Sequence, residues 1–245
     1  MNLLALAVSP VAIFLFWIYQ KDRYEKEPLS LIFFIMAFGA IACVPAAIME
    51  VAVEPLLIHE NSNLLGLFVY TTLGIGLVEE GCKFIMLKQI TWRNRHFSQR
   101  FDGIVYAVSA SLGFALLENI LYVASGGITV GILRAITAVP MHTAFGIIMG
   151  LYYGRSRFDA TANPVWTINP HDGVLSEPMM VQGSVKRANN NMFKALTIPT
   201  FLHGLYDFAA MAISRNSWFI VLLVFVLVAT CAYAIRLVMR ESRLP

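Results

Sequence analysis

The sequence predicts an all-α, polytopic bundle of membrane helices, and three observations carry that prediction. Of 245 residues, 58% are hydrophobic and only 13% charged, whereas a water-soluble domain carries about 25% charged residues. Too little polar surface remains to cover a globule in water, so the bilayer must solvate most side chains. Seven apolar runs each approach the roughly 20 residues a helix needs to cross the hydrocarbon. Basic residues, finally, gather in alternate loops between those runs. Strands are not expected, because strand-like alternation is absent and a lone strand leaves its backbone unsatisfied in lipid.

The runs fall near residues 3–20, 30–52, 64–88, 103–124, 128–153, 194–213 and 218–239. The first has no basic segment ahead of it and no clean small-residue cleavage site, so it is expected to stay as a helix rather than be removed as a signal peptide. The third contains Glu79, Glu80 and Lys83; if these break it in two, the count becomes eight. After the first run come Lys21, Arg23 and Lys26, and after the third Lys88, Arg93, Arg95 and Arg100. Arg155, Arg157, Lys186, Arg187 and Lys194 follow the fifth, and Arg236, Arg240 and Arg243 close the seventh. Only Lys83, Arg134 and Arg215 of the 18 basic residues lie elsewhere. The excess of Lys and Arg in these loops predicts an N-terminus outside and a C-terminus in the cytoplasm. The same asymmetry accounts for the net charge of +3 without a nucleic-acid partner. Residues 1–245 read as one membrane-embedded domain. Residues 154–193 form a polar cytoplasmic loop, read by default as a solvated connector, with substrate gating the alternative. Cys43, Cys82 and Cys231 have no paired spacing, which excludes a disulfide framework and a CxxC metal site.

Ionisable residues at membrane depth cost about 2.5–3.5 kcal/mol each on insertion scales. This chain nevertheless places Glu79, Glu80 and Lys83 in the third span, Glu118 in the fourth, His142 in the fifth, and His203 and Asp207 in the sixth. Unpaired in lipid, they would cost on the order of 10 kcal/mol, so they must face one another or a wet cavity. His203 and Asp207, four residues apart, share a helix face. Glu79 and Lys83 have the order favoured by an internal ion pair, which leaves Glu80 free as the favoured base. Small residues at Gly74, Gly76, Gly81, Gly113, Gly146, Gly150 and Gly204 let helices approach around these groups. Glu50, Glu54 and Asp102 sit nearer helix ends and read as interfacial. The turn Tyr24-Glu25-Lys26-Glu27-Pro28 reads as a topological element.

Two kinds of carboxylate and imidazole chemistry fit such a cluster. A desolvated glutamate becomes a useful general base toward water, with histidine sharing that role or stabilising an oxyanion. Alternatively Glu118, His142 and His203 supply ligands for a divalent metal such as zinc, although no HExxH is present. Ser109 and Ser111 lack an evident base, and there is no GxSxG.

The set Glu79-Glu80-x-x-Lys83, Phe114-x-x-x-Glu118, His142 within Met-His-Thr-Ala-Phe-Gly, and His203-x-x-x-Asp207 resembles the motifs of the PrsW intramembrane proteases. The Tyr24–Pro28 turn looks like that family too. The order holds from about residue 10 to 210, with each motif in a separate helix. The resemblance implies peptide-bond hydrolysis in a multi-pass protein of the bacterial inner membrane. Its substrate would be membrane-anchored, such as an anti-sigma factor cut first at site 1. Carried onto this chain, Glu79 and Glu80 supply the base, Glu118 and His142 orient water or bind metal, and His203 and Asp207 complete the site. The related CAAX prenyl endopeptidases end the second motif in His where this chain has Glu118, so both a metal and a metal-free glutamate mechanism stay open. Two other readings use the same residues: a proton- or ion-coupled transporter relaying charge through the buried carboxylates, and a structural subunit with a polar packing network. The absence of visible internal repeats weakens the transporter.

Overall fold

The computed structural model describes residues 3–58, 63–160 and 182–243. Its elements are α1 (Leu3–Lys21), α2 (Leu29–Leu57), α3 (Leu64–Val69), a π-helical segment (Tyr70–Gly76), α4 (Leu77–Thr91), α5 (Arg100–Ile136), α6 (Ala138–Ala160), α7 (Gln182–Ala212) and α8 (Phe219–Glu241). No strand occurs among the described residues, as expected where each backbone group must bond within its own segment. Five helical stretches are long and apolar enough to cross a bilayer: Leu4–Lys21, Leu29–Leu57, Leu64–Thr91, Arg100–Asp159 and Phe219–Glu241. Their outward faces carry Ile13, Phe16, Val51, Leu56, Phe225 and Val228, all strongly exposed, which suits a lipid solvent and not water. The chain is a multi-pass membrane protein.

Helix α5 is the axis of the bundle. From Phe101 to Ala115 every residue is buried, the pattern of a helix covered on all sides. It packs most extensively on α6, then on α2 and α1, while α6 passes on to α7 and α8. Glycines allow the closest of these approaches. A Cβ at Gly113 would collide with the Met36 carbonyl of α2, and one at Gly150 with Gly103 of α5.

Three stretches test the boundaries read from the sequence. The third span keeps the single run read near 64–88; it passes from α3 through the π-helical segment into α4, so Glu79 and Glu80 follow a widened turn and not a gap. The fourth and fifth spans divide at Gly127, inside the gap read at 124–128, but a second break at Thr137 then separates α5 from α6. Gly127 alone leaves helical geometry, at φ 70° and ψ −158°, and the short stretch after it folds back before Thr137 ends α5. That backbone region is essentially closed to residues with a Cβ, so the chain reverses where Gly stands. The polar loop is narrower than 154–193, since α6 reaches Ala160 and α7 starts at Gln182; residues 161–181 lie outside the described residues.

The Tyr24–Pro28 turn is more than a connector. Glu27 is 3% exposed, and Asp22 and Asp102 are buried with it. Asp22 Oδ1, Glu27 Oε2, Asp102 Oδ1 and the Tyr106 hydroxyl are all buried without a hydrogen-bond partner. Asp102, expected at an interface, closes a capping box at the start of α5 with Gln99; its Oδ2 accepts from the Ser98 and Gln99 amides at 2.8 and 2.7 Å. Burial pushes Glu27 up to about 8, the Tyr106 hydroxyl beside it opposes this, and the Asp102 and Asp22 carboxylates add to it.

Candidate active site

Two helix contacts assemble the cluster. Gly76 ends the π-helical segment, and a Cβ there would stand 2.7 Å from the Thr200 carbonyl and 3.0 Å from the Gly204 amide of α7. The two backbones therefore nearly touch, and His203 is carried alongside the first turn of α4. On the other side α5 and α6 run antiparallel in glycine-mediated contact. There the Ser111 hydroxyl donates to the His142 carbonyl at 2.7 Å, fixing the turn from which His142 reaches toward Glu118. Of the small residues expected to permit close approach, Gly81 faces open space and Gly74 meets the Tyr70 side chain.

Lys83 stands at the centre, 1% exposed. Its ammonium lies 3.0 Å from Glu79 Oε2, 2.8 Å from Glu80 Oε1 and 3.0 Å from His142 Nδ1, and 4.1 Å above the Phe114 ring. An ammonium has three donors and no lone pair. His142 Nδ1 must therefore accept, which puts the ring proton on Nε2, aimed at Glu118 Oε2 2.9 Å away. Glu118 also meets Arg134 Nη2 at 2.9 Å. His203 presents Nδ1 to Glu80 Oε1 at 2.9 Å and Nε2 to Asp207 Oδ2 at 3.3 Å, with Glu79 Oε2 at 3.8 Å. Its ring stacks on Phe145 at 4.9 Å and stands perpendicular to His142 at 5.4 Å.

Glu79, Glu80, Lys83, Glu118, His142, His203 and Asp207 thus form one connected network across α4, α5, α6 and α7. Lys83 bonds both glutamates, so Glu80 is not left free by the Glu79 pair. Glu80 is fully buried, with Oε2 unpartnered, whereas Glu79, Glu118, His142, His203 and Asp207 line a cavity of about 390 Å³. Tyr206, Tyr122, Ile75 and Ala47 supply much of the rest of its wall. Sequence reasoning missed two polar residues on that wall, Glu50 of α2 and Arg134. Glu50 has no periodicity or partner spacing to mark it. Arg134, a lone cation in an apolar run seven residues beyond Gly127, carried a readable signal.

Among the described residues, the carboxylates Glu79, Glu80, Glu118 and Asp207 face two obligate cations, Lys83 and Arg134. Burying uncompensated charge costs several kcal/mol per ion, so the excess of carboxylate oxygens over cations suits the binding of a divalent ion. Donor atoms of Glu79, Glu118 and His142 lie within 4.8 Å of one another, and so do those of Glu79, Glu80 and His203. These oxygen and imidazole sets suit zinc in kind. Glu118, His142 and His203 do not form one such group among the described residues; Glu79 is common to both groups that do.

A family model described as the PrsW family intramembrane metalloprotease matches residues 27–233. The chain is 32% identical to a protein named Protease PrsW from Clostridioides difficile strain 630, over 91% of this chain and 84% of the relative. It is 31% identical to the Bacillus subtilis strain 168 protein of that name, over 87% and 84%, and 30% identical to that of Geobacillus kaustophilus, over 89% and 84%. No solved structure matches the chain significantly.

Proposed function

The chain belongs to the PrsW family of intramembrane metalloproteases, and from that membership we propose that it cuts a peptide bond of a membrane-anchored protein at the Glu/His cavity. The enzyme is an intramembrane peptidase. The observation that carries the site assignment is the convergence of Glu79, Glu118, His142, His203 and Asp207 on one cavity within an apolar bundle.

Depth supports an access route. Most lining residues lie in the half of their span away from the basic loops, Glu50 late in α2, Ile75 before the middle of the third span, Tyr122 late in the straight part of α5, His142 early in α6 and Met211 late in α7, while Cys43 and Glu79 stand near mid-span. With basic loops in the cytoplasm, the N-terminus is outside and the cavity opens toward the outer half of a bacterial inner membrane. A single-span regulator such as an anti-sigma factor can present a segment there.

Hydrolysis then needs a water, a proton acceptor and a donor to the leaving amine. Glu79, on the cavity wall with Lys83 beside it, takes the proton as the water oxygen adds to the carbonyl carbon. His203, held between Glu80 and Asp207, gives a proton to the amine nitrogen as the C–N bond breaks. Glu80, favoured as the base by its sequence spacing, lies behind this wall and serves by holding Lys83 and His203. A divalent ion such as zinc, held by Glu79, Glu118 and His142, would acidify water and polarise the carbonyl. Purified enzyme reconstituted with a single-span substrate tests the reading. Glu79→Gln and His203→Ala should each abolish cleavage while folded protein persists in detergent; cleavage surviving in both rejects the site. Loss of cleavage on chelation, restored by zinc, makes the reaction metal-dependent, and loss of bound zinc in Glu79→Gln then makes Glu79 a ligand in place of the base; unchanged cleavage on chelation leaves Glu79 as the base.

A further inference from the structure

Resting on the peptidase reading, we propose that Arg134 is a positioning residue of the reaction, delivered to the cavity by the fold-back that begins at Gly127. Residues after Gly127 return along the end of α5. A Cβ at Gly131 would press on Leu6 of α1 and lie 3.1 Å from Val123, and Arg134 comes back level with Glu118, Asn119 and Tyr122. Its Nε donates to Asn119 Oδ1 at 2.7 Å. Asn119 in turn donates from Nδ2 to the Ala7 carbonyl of α1 at 3.2 Å, and the guanidinium lies 4.2 Å over the Tyr122 ring. The head is thus fixed on two sides before it meets Glu118.

An arginine placed only for topology would extend its long stem toward the membrane surface. This one points inward onto a carboxylate of the cavity wall and lines the cavity itself. Nη2 is 2.9 Å from Glu118 Oε2, close but without hydrogen-bond alignment, so the contact is one of charge while the directed bond is to Asn119. The same Oε2 meets His142 Nε2. Arg134 therefore sets where Glu118 sits, Glu118 sets the His142 ring, and the ring turns Nδ1 to Lys83 and the glutamate pair. Partners that orient catalytic or ligating groups in this way typically account for 10–100-fold in activity.

Steady-state cleavage by Arg134→Gln, Arg134→Lys and Arg134→Ala separates positioning from mere support of the fold. The glutamine variant should lose about 10–100-fold in kcat with KM held within about twofold. Lysine, which keeps the charge but not the Asn119 bond, should restore part of it. Guanidinium ion should raise kcat of the alanine variant, entering through the open cavity. Wild-type kcat in Arg134→Gln, a loss confined to KM, or no rescue by either lysine or guanidinium overturns the proposal. A second measurement does not need proteolysis: the drop in melting temperature from Arg134→Gln should vanish in a Glu118→Gln background. If wild-type enzyme cleaves nothing but this coupling is present, the peptidase reading fails and the pairing stands. If the drop persists undiminished, Arg134 does not act through Glu118.

Discussion

Replacing Glu27 by glutamine should remove most of the alkaline sensitivity of the folded protein. The carboxyl sits among Asp22, Asp102 and the Tyr106 hydroxyl, and Lys26 and Glu25 of the same loop act on Asp22. Its ordinary value of 4.5 is raised to about 8, chiefly by burial. The native state therefore holds a proton between pH 4.5 and 8 that the unfolded state has already released, so stability falls as pH rises through that window. The full stabilisation is present below the unfolded value and is gone above about 8. At 1.36 kcal/mol per unit the whole effect is about 5 kcal/mol, of which roughly 2–3 kcal/mol falls between pH 6 and 8. For a chain of this size that corresponds to a drop of roughly 5–10 °C in melting temperature. Intrinsic tryptophan fluorescence in detergent reads it directly. Glu27→Gln, which keeps the shape without the proton, should melt nearly independently of pH across that range and above wild type at pH 8. Burial raises Asp22 as well, so Asp22→Asn serves as the control and should flatten the slope less. An unchanged slope in Glu27→Gln would refute the argument.

Lys83→Met should leave Glu79 and Glu80 buried without their shared cation and cost about 3–5 kcal/mol, seen as a collapse in the yield of monodisperse protein; near-normal yield would mean another cation reaches the pair. Glu80→Gln should reduce thermal stability more than Glu79→Gln, because Glu80 is the fully buried member, and differential scanning of the two variants ranks them. Gly76→Ala should push α7 away through the 2.7 Å approach to the Thr200 carbonyl and separate His203 from Glu80. Its expected signature is a loss of cleavage far larger than its loss of melting temperature. Gly127→Ala should cost about 1–3 kcal/mol in backbone strain and lower kcat by displacing Arg134, read by thermal melting and by the cleavage assay.

Much of the site was legible because membrane depth makes polar residues conspicuous. Glu79, Glu118, His142, His203 and Asp207 each interrupt an apolar run, and the cost of leaving them in lipid predicts that they meet. Their mutual geometry was not legible, because helical spacing fixes the face of a side chain but not the helix it confronts. Lys83 illustrates the limit. Spacing of four suggested a private pair with Glu79, but a buried ammonium can satisfy three acceptors, and Glu80 and His142 are within its reach. The Tyr24–Pro28 turn misled in the opposite way. A run of alternating charges reads as a solvated surface, and only the packing of α5 against that loop shows Glu27 to be enclosed. The reversal at Gly127 fell in the gap read between 124 and 128, but hydropathy, which records only that 128–153 is apolar, hid the second break at Thr137.

The widened turn between Tyr70 and Gly76 has a consequence for how this enzyme can change. Each residue of an α-helix advances the side chains by about 100°, so a single residue accommodated there sets the angular offset between everything before it and everything after it. Shortening that stretch by one would let the helix relax into regular geometry and swing the glutamate pair away from His203. The pair's aim is thus encoded in a count of residues upstream of it, and a deletion three to nine positions ahead of Glu79 should disrupt the cluster as thoroughly as losing the carboxylate.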